Sequence, residues 1–402
     1  MATPRRRLAA SAIVALSITA ATVASSGGAF AASAPHTVSN SVPVAAAAST
    51  PDATPFSLPA PTGPYAVGED TLHLTDTSRL DPWRPASGDR QLTVSMYYPA
   101  RQGTGQPAPY MSLGEAQGFV QYRVPPGYGV TADALAAIAT QAFTGAKAAP
   151  GRFPLVVLSP GLENPRATLT SLATDLTSRG FVVALIGHPG EDSGEQLADG
   201  SISPCVTCGD GPGLPTVEQI TASRGLDVKF VIDQLLDHHV WTLSHLIDKH
   251  AIGMAGHSIG GAAAPVAMQD DPRIRAGVNM DGSFYPVVPA GALGGRPFMM
   301  LGRAEDHTAG GSDTTWGETW ADLDGYKRWF AVDGASHASF TDVSILGQEV
   351  GIPNRGYPLD GLRGAKITRD YVAAFFNKTL RGCPEPLLDG NSAAYPEVAI
   401  QP

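Results

Sequence analysis

The sequence predicts an α/β domain with a mostly parallel central sheet and helices on both faces, and three observations carry that expectation. Short, uninterrupted apolar runs recur at PLVVL (154–158), FVVALI (181–186) and AIGMA (251–255), as expected of strands buried on both faces. Stretches with helical apolar spacing lie between them, and strands alternating with helices imply parallel crossovers. A serine flanked by glycines stands at a strand-to-helix junction, where ligands of such sheets bind.

The first residues are set aside before the fold is considered. Arg5, Arg6 and Arg7 precede an apolar stretch from Leu8 to about Val23, and Ala29-Phe30-Ala31 fits a small-residue cleavage site. Residues 1–31 therefore read as a signal peptide and the protein as secreted, by the general or the twin-arginine route. Residues 32–61 are rich in Ala, Pro and Ser and nearly uncharged, which predicts a disordered leader. Residues 62–402 are expected to form a single catalytic domain.

The elements follow in order. Gln91–Tyr98 alternates and ends at Pro99, an early antiparallel strand. Residues 113–149 are less regular and form a candidate lid or cap, with a short helix expected over 132–142. Thr168–Ser178 reads as a helix stopping before Gly180. Thr216–His238 reads as a long helix with Pro215 near its start and Ile220, Leu226, Val228, Val231, Ile232 and Leu235 close to helical spacing. Gly260–Gln269 is a small-residue helix, and strands follow at 275–280, 297–301 and 328–332. A last helix spans about 365–380.

The net charge of −10, with no basic stripe, excludes nucleic acid as a partner. An acidic surface also weighs against anionic lipid, while transient contact with a zwitterionic lipid interface remains open. The sequence contains no motif for an obligate protein partner. Cys205 and Cys208 have no second Cys or His pair at zinc-finger spacing, so a local disulfide is the expected arrangement and no metal is implied. Cys383 is then unpaired, or it competes for one of the two.

Gly256-His257-Ser258-Ile259-Gly260 supplies the nucleophile of the α/β-hydrolase fold. Flanking glycines allow the backbone to crowd at a tight turn that lifts the Ser258 hydroxyl above the sheet. A serine hydroxyl needs a base to take its proton. His337 fits best, in a small-residue loop directly after the last expected strand. His188 follows a strand and is a candidate pocket residue, as are His257 and Phe340. Asp281 and Asp306 both end strands between the serine and the histidine, and order alone does not separate them as the acid. The oxyanion would be bound by the N–H of Ile259 and of a residue in Ser159–Leu162.

These residues resemble the plasma-type, isoform II platelet-activating-factor acetylhydrolases, in particular an actinobacterial branch. Thr62–Gly68 resembles the family's entry segment, Leu158–Leu162 its oxyanion loop and Gly256–Gly261 its nucleophile turn. Met280-Asp281-Gly282 resembles its acid and Gly334–Asp342 its histidine loop. The resemblance implies Asp281 as the acid, with Asp306 the rival, and Leu162 beside Ile259 in the oxyanion hole. It also implies a serine esterase that needs no cofactor and acts on a small ester or phospholipid with a short acyl chain, such as an sn-2 acetyl group. Two features depart from the family. Apolar, interface-facing helices are not evident, and Cys205–Gly213 has no counterpart. Lipase or polyesterase activity of the cutinase kind, and a catalytically inactive binding module, are the competing readings.

Overall fold

In the computed structural model the described residues run from Phe56 to Pro402, apart from Asp210 and Arg355, and belong to one unit. The expected signal peptide and most of the leader lie outside them. The last residues of the expected leader, 56–61, are placed by the structure. Ser57 bridges to Ala139, Leu58 is buried, and Arg369 donates to the Pro59 and Ala60 carbonyls, so residues 56–61 lie against the fold.

The chain opens with a hairpin, β1 (Ala66–Leu80) and β2 (Asp89–Ala100), paired antiparallel with Leu74 opposite Leu92. Two short edge strands follow, β3 (Gln106–Pro107) and β4 (Ala142–Thr144). The parallel strands are β5 (Phe153–Ser159), β6 (Val182–Gly187), then β9 (Ile247–His257), β10 (Ile274–Met280), β11 (Phe298–Arg303) and β12 (Lys327–Val332). Between β6 and β9 lies a two-stranded ribbon, β7 (Glu195–Gln196) and β8 (Ile202–Ser203), and β13 (Val398–Ile400) closes the chain. Among the described residues the large sheet has the order β13-β12-β11-β10-β9-β5-β6-β2-β1-β4-β3.

Successive side chains of a strand point to opposite faces, and this period divides the core in two. Leu155, Val157, Ala184, Ile186, Met254 and Met300 pack beneath α4 (Val217–Leu236), α5 (Ile259–Asp270) and α6 (Thr314–Asp322). Val156, Leu158, Val183, Leu185, Met299 and Leu301 pack on the other face beneath α3 (Thr170–Ser178) and α8 (Gly361–Arg381). The long α4 starts where the sequence sets it. Thr216 and Gln219 exchange side-chain-to-backbone hydrogen bonds of 2.8 and 3.3 Å, a capping box directly after Pro215.

Residues 113–149 form a cap built from α1 (Leu113–Arg123), α2 (Ala132–Ala136) and β4. Its small apolar cluster joins Leu58, Phe119, Leu135 and Ile138 to Leu346 of α7 (Asp342–Glu349). The helix expected over 132–142 stops at Ala136. The chain turns at Gln141, whose φ is 65°, and enters the sheet as β4.

Beneath the C-terminal edge of the sheet lies a buried charge network. Asp227 of α4 accepts from Arg90 Nη2 (2.9 Å) and Nε (3.2 Å), from Arg79 and from His188 Nδ1 (2.7 Å). Burial works against the charged carboxylate, but Arg90 and His188 outweigh it and hold Asp227 well below the usual range. Removing one partner of a buried pair strands the other charge. Asp227→Ala is therefore expected to lower unfolding free energy by about 3–5 kcal/mol in urea titrations.

Candidate active site

Ser258 stands where β9 turns into α5, with φ 54° and ψ −124°, a conformation that L-residues rarely adopt. Crowding enforces it. A Cβ on Gly256 would run into the backbone of Gly260, and one on Gly260 would run into the Ser159 carbonyl. Ser258 N–H donates to the Met280 carbonyl at 2.8 Å, which ties this turn to the end of β10. The serine is the N-cap residue of α5, yet its side chain makes no capping bond. The half-buried hydroxyl has no hydrogen-bond partner among the described residues and sits at the positive end of the helix dipole.

His337 opens a short 3-10 turn after β12 and is exposed. Its Nδ1 lies 2.5 Å from Asp281 Oδ2. An ionised carboxylate only accepts, so Nδ1 of His337 carries a proton and donates it to Asp281. Asp281 directly follows β10 with φ 60°, a second strained position. Its Oδ1 accepts from the Arg303 N–H (2.7 Å) and faces His307 Nδ1 (2.8 Å). Burial opposes the charge of Asp281. The hydrogen bonds from His307 and His337 outweigh it and hold the carboxyl well below its ordinary value. Asp306 is turned to Arg303 and to Ser312 Oγ (2.6 Å), so of the two candidate acids it is Asp281 that contacts His337.

The loop after β5 runs against Ser258. A Cβ on Gly161 would lie 2.8 Å from His257 Nδ1 and 3.3 Å from Ser258 Cβ. The N–H groups of Leu162 and Ile259 have no hydrogen-bond partner among the described residues, as an oxyanion site requires.

The remaining candidates lie elsewhere than expected. His188 does not line a pocket but is buried under this loop. Its Nδ1 donates to Asp227, so its Nε2 accepts from Ser159 Oγ at 2.9 Å, and burial lowers its pKa further toward the neutral form. Arg224 donates to Ser159 Oγ (3.2 Å) and to the Pro160 carbonyl, completing a brace under the loop. His257 is also buried. Its Nε2 donates to the His337 carbonyl at 2.8 Å, and the two rings lie 4.5 Å apart. Burial, with His337 adding to it, lowers the His257 pKa to about 3, so this ring is a neutral support and not a base. Phe340 packs in the core beneath α3 and α8 and anchors the histidine turn there. Cys205 and Cys208 form a disulfide, while Cys383 is free and exposed. The disulfide loop hangs on the Gly190 carbonyl and, through the Gly209 N–H, on Glu163 Oε1 (3.2 Å).

A cleft of about 600 Å³ begins at Ser336 and Ala338, on either side of His337, and runs past Arg123, Val343, Ile352 and Tyr357. An apolar pocket lined by Phe119, Val124, Leu135 and Leu346 adjoins it, so the cap supplies one wall. Among the described residues no group of three His, Cys, Asp or Glu side chains is arranged to hold a metal ion.

Sequence reasoning missed His307, Arg224 and Asp227. His307 carried a usable signal, because it follows Asp306 past the end of a strand, the same criterion that marked both acids.

The sequence model described as platelet-activating factor acetylhydrolase, isoform II, matches residues 53–195 and 213–379. The unmatched residues 196–212 include the disulfide. The chain is 29% identical over 392 residues to a probable 1-alkyl-2-acetylglycerophosphocholine esterase of Arthroderma benhamiae, covering 86% of this chain and 94% of that one. A platelet-activating factor acetylhydrolase of Cavia porcellus is 23% identical over 51% of this chain and 53% of its own. Among solved structures, a ferulic acid esterase from Streptomyces cinnamoneus superposes with a TM-score of 0.76 and 35% identity, over 87% of this chain and all of that one.

The neutral, buried His257 makes a pH prediction. Its folded pKa of about 3 lies below the unfolded value of 6.5, so the unfolded chain binds the extra proton and stability is lost as pH falls from 6.5 toward 3. His257→Gln keeps a donor for the His337 carbonyl but does not titrate. Between pH 6.5 and 4, the wild type is expected to lose up to about 1.4 kcal/mol more per pH unit than the variant, measured by urea unfolding.

Proposed function

The chain belongs to the isoform II family of platelet-activating factor acetylhydrolases and is a carboxylic ester hydrolase with the α/β-hydrolase fold, and from that premise we propose that it is secreted and removes short acyl groups through Ser258. The observation that carries the reading is the 2.5 Å contact of His337 Nδ1 with Asp281, beside a serine whose strained turn leaves its hydroxyl unused.

In this reading Ser258 Oγ attacks the ester carbonyl while His337 Nε2 takes its proton. The carbonyl oxygen becomes the oxyanion and is held by the Leu162 and Ile259 N–H groups, and Asp281 stays ionised throughout. His337 returns the proton to the leaving alkoxide, which departs as the alcohol and leaves an acyl-serine. Water then repeats the sequence, with His337 as base and Ser258 as leaving group, and releases the carboxylic acid. The absent Ser258–His337 hydrogen bond fits a catalytic pair that tightens on substrate binding.

The substrate is proposed to be a small ester, with the sn-2 acetyl group of a choline phospholipid as the first choice because the name of the Arthroderma relative points to it. The Streptomyces esterase favours a second reading, an aromatic acyl group such as feruloyl, because that relative is 35% identical along its whole length. Export is supported by Arg5–Arg7, the apolar run after them and Ala29-Phe30-Ala31, and N-terminal sequencing of protein from the medium should then begin at Ala32.

Side-by-side kcat/KM values for a 2-acetyl phospholipid, a simple acetyl ester and a methyl ferulate decide the substrate. The first choice requires the phospholipid to be turned over at least as efficiently as the simple ester, and preference for ferulate would replace it with the second. Asp281→Asn should cost about four orders of magnitude in turnover, the scale for losing the acid of a serine triad. Asp306→Asn should leave turnover within about tenfold, and the reverse pattern would displace Asp281.

A further inference from the structure

His307 contacts Asp281, yet the acyl transfer just described does not use it. The residue lies beyond β11, its ring stacked on the Trp316 indole with centroids 4.0 Å apart and planes 11° from parallel. Its carbonyl accepts from Trp329 Nε1 at 2.8 Å. Nδ1 lies 2.8 Å from Asp281 Oδ1, and Nε2 lies 3.1 Å from Asp313 Oδ2. Both partners are carboxylates, which accept only, so both ring nitrogens are satisfied when both carry protons. A neutral ring would set a lone pair against one of the two carboxylate oxygens. Burial disfavours the cation, but Asp281 and Asp313 outweigh it and raise the pKa to about 9.

The other charged groups around this ring are accounted for. Arg303 Nε stands 4.0 Å from Asp281 Oδ2 and is engaged by Asp306, whose remaining oxygen is bonded to Ser312. His337 lies on the far side of Asp281, and the buried, neutral His257 lies behind His337.

We propose that His307 is a positioning residue: held as an imidazolium between Asp281 and Asp313, it fixes the Asp281 carboxylate that orients His337, and its charge repels a second cation on that carboxylate. The inference rests on Asp281 and His337 being the acid and base of the reaction. Its physical content is that two cations sharing one carboxylate repel each other. A positive His307 thus opposes protonation of His337 from solvent, and it also makes His337 a somewhat weaker base.

Two variants separate charge from orientation. His307→Asn places an amide donor near the Nδ1 position without a charge, and His307→Phe keeps the stack on Trp316 but has no donor. In both, the acid limb of the kcat/KM profile should move up by about two to three pH units, the scale of a unit charge about 4–6 Å away at an effective dielectric of about 20. The plateau kcat should fall on the order of ten- to a hundredfold in His307→Phe, through misplacement of the base, and be largely restored in His307→Asn. Rates are taken per active site counted by burst titration, so a variant that merely folds poorly loses sites and not the position of its limb. An unmoved acid limb in His307→Asn overturns the proposal, whatever His307→Phe does. Asp281→Asn is the control. If it retains activity, the underlying assignment of the acid fails. If it is inactive while the His307→Asn limb stays in place, only the role of His307 fails.

Discussion

The site depends on one constraint, the backbone of Ser258 held at φ 54° where a parallel strand is forced directly into a helix. A serine does not choose that conformation, which costs on the order of 1–3 kcal/mol. Close backbone contacts at Gly256 and Gly260 leave the chain no other path, and the Ser258 N–H bond to Met280 fastens the turn to the neighbouring strand. The same neighbour leads into Asp281, whose N–H in turn bonds the Leu301 carbonyl of the next strand. The register His257 opposite Met280, and Met280 opposite Leu301, thus sets the relative height of Ser258 and Asp281 before any side chain is considered.

Two buried polar systems then fix the groups that the backbone leaves free. Under the loop after β5, Arg90 holds Asp227 and Asp227 holds His188, while His188 and Arg224 meet at Ser159 Oγ. Behind the acid, Arg303 and His307 converge on Asp281. Their histidines differ in charge for a physical reason. His188 meets one carboxylate and a hydroxyl with Arg224 nearby, and His257 meets a carbonyl, so burial keeps both neutral. His307 meets two carboxylates, and their attraction overcomes burial. The protein in this way tunes three imidazoles with its own charges and burial.

The turn at Ser258 and the sheet were legible because each has a local signature. Glycines bracket Ser258, and apolar runs mark strands covered on both faces. Which carboxylate meets His337 was not legible from order, since Asp281 and Asp306 both end strands. What separates them is the left-handed turn at Asp281 and the arginine that engages Asp306, neither of which leaves a trace in the chain. His188 and His257 follow or end strands as pocket residues do, but they point under the loops. That difference depends on Asp227 and the His337 carbonyl, 39 and 80 positions away. Residues 132–142 have a helical composition, and the left-handed turn at Gln141 that makes β4 overrides it. Leu58 reads as leader by its neighbours and is core by its contact with the cap.

The central claim is that Ser258 forms a covalent acyl intermediate. The direct measurement is peptide mass mapping after reaction with a fluorophosphonate, alongside the Ser258→Ala variant. The account expects one phosphonyl group per chain, carried on the peptide containing Ser258, and none in the variant. Labelling of a different residue, or an active enzyme that stays unlabelled at Ser258, would contradict it.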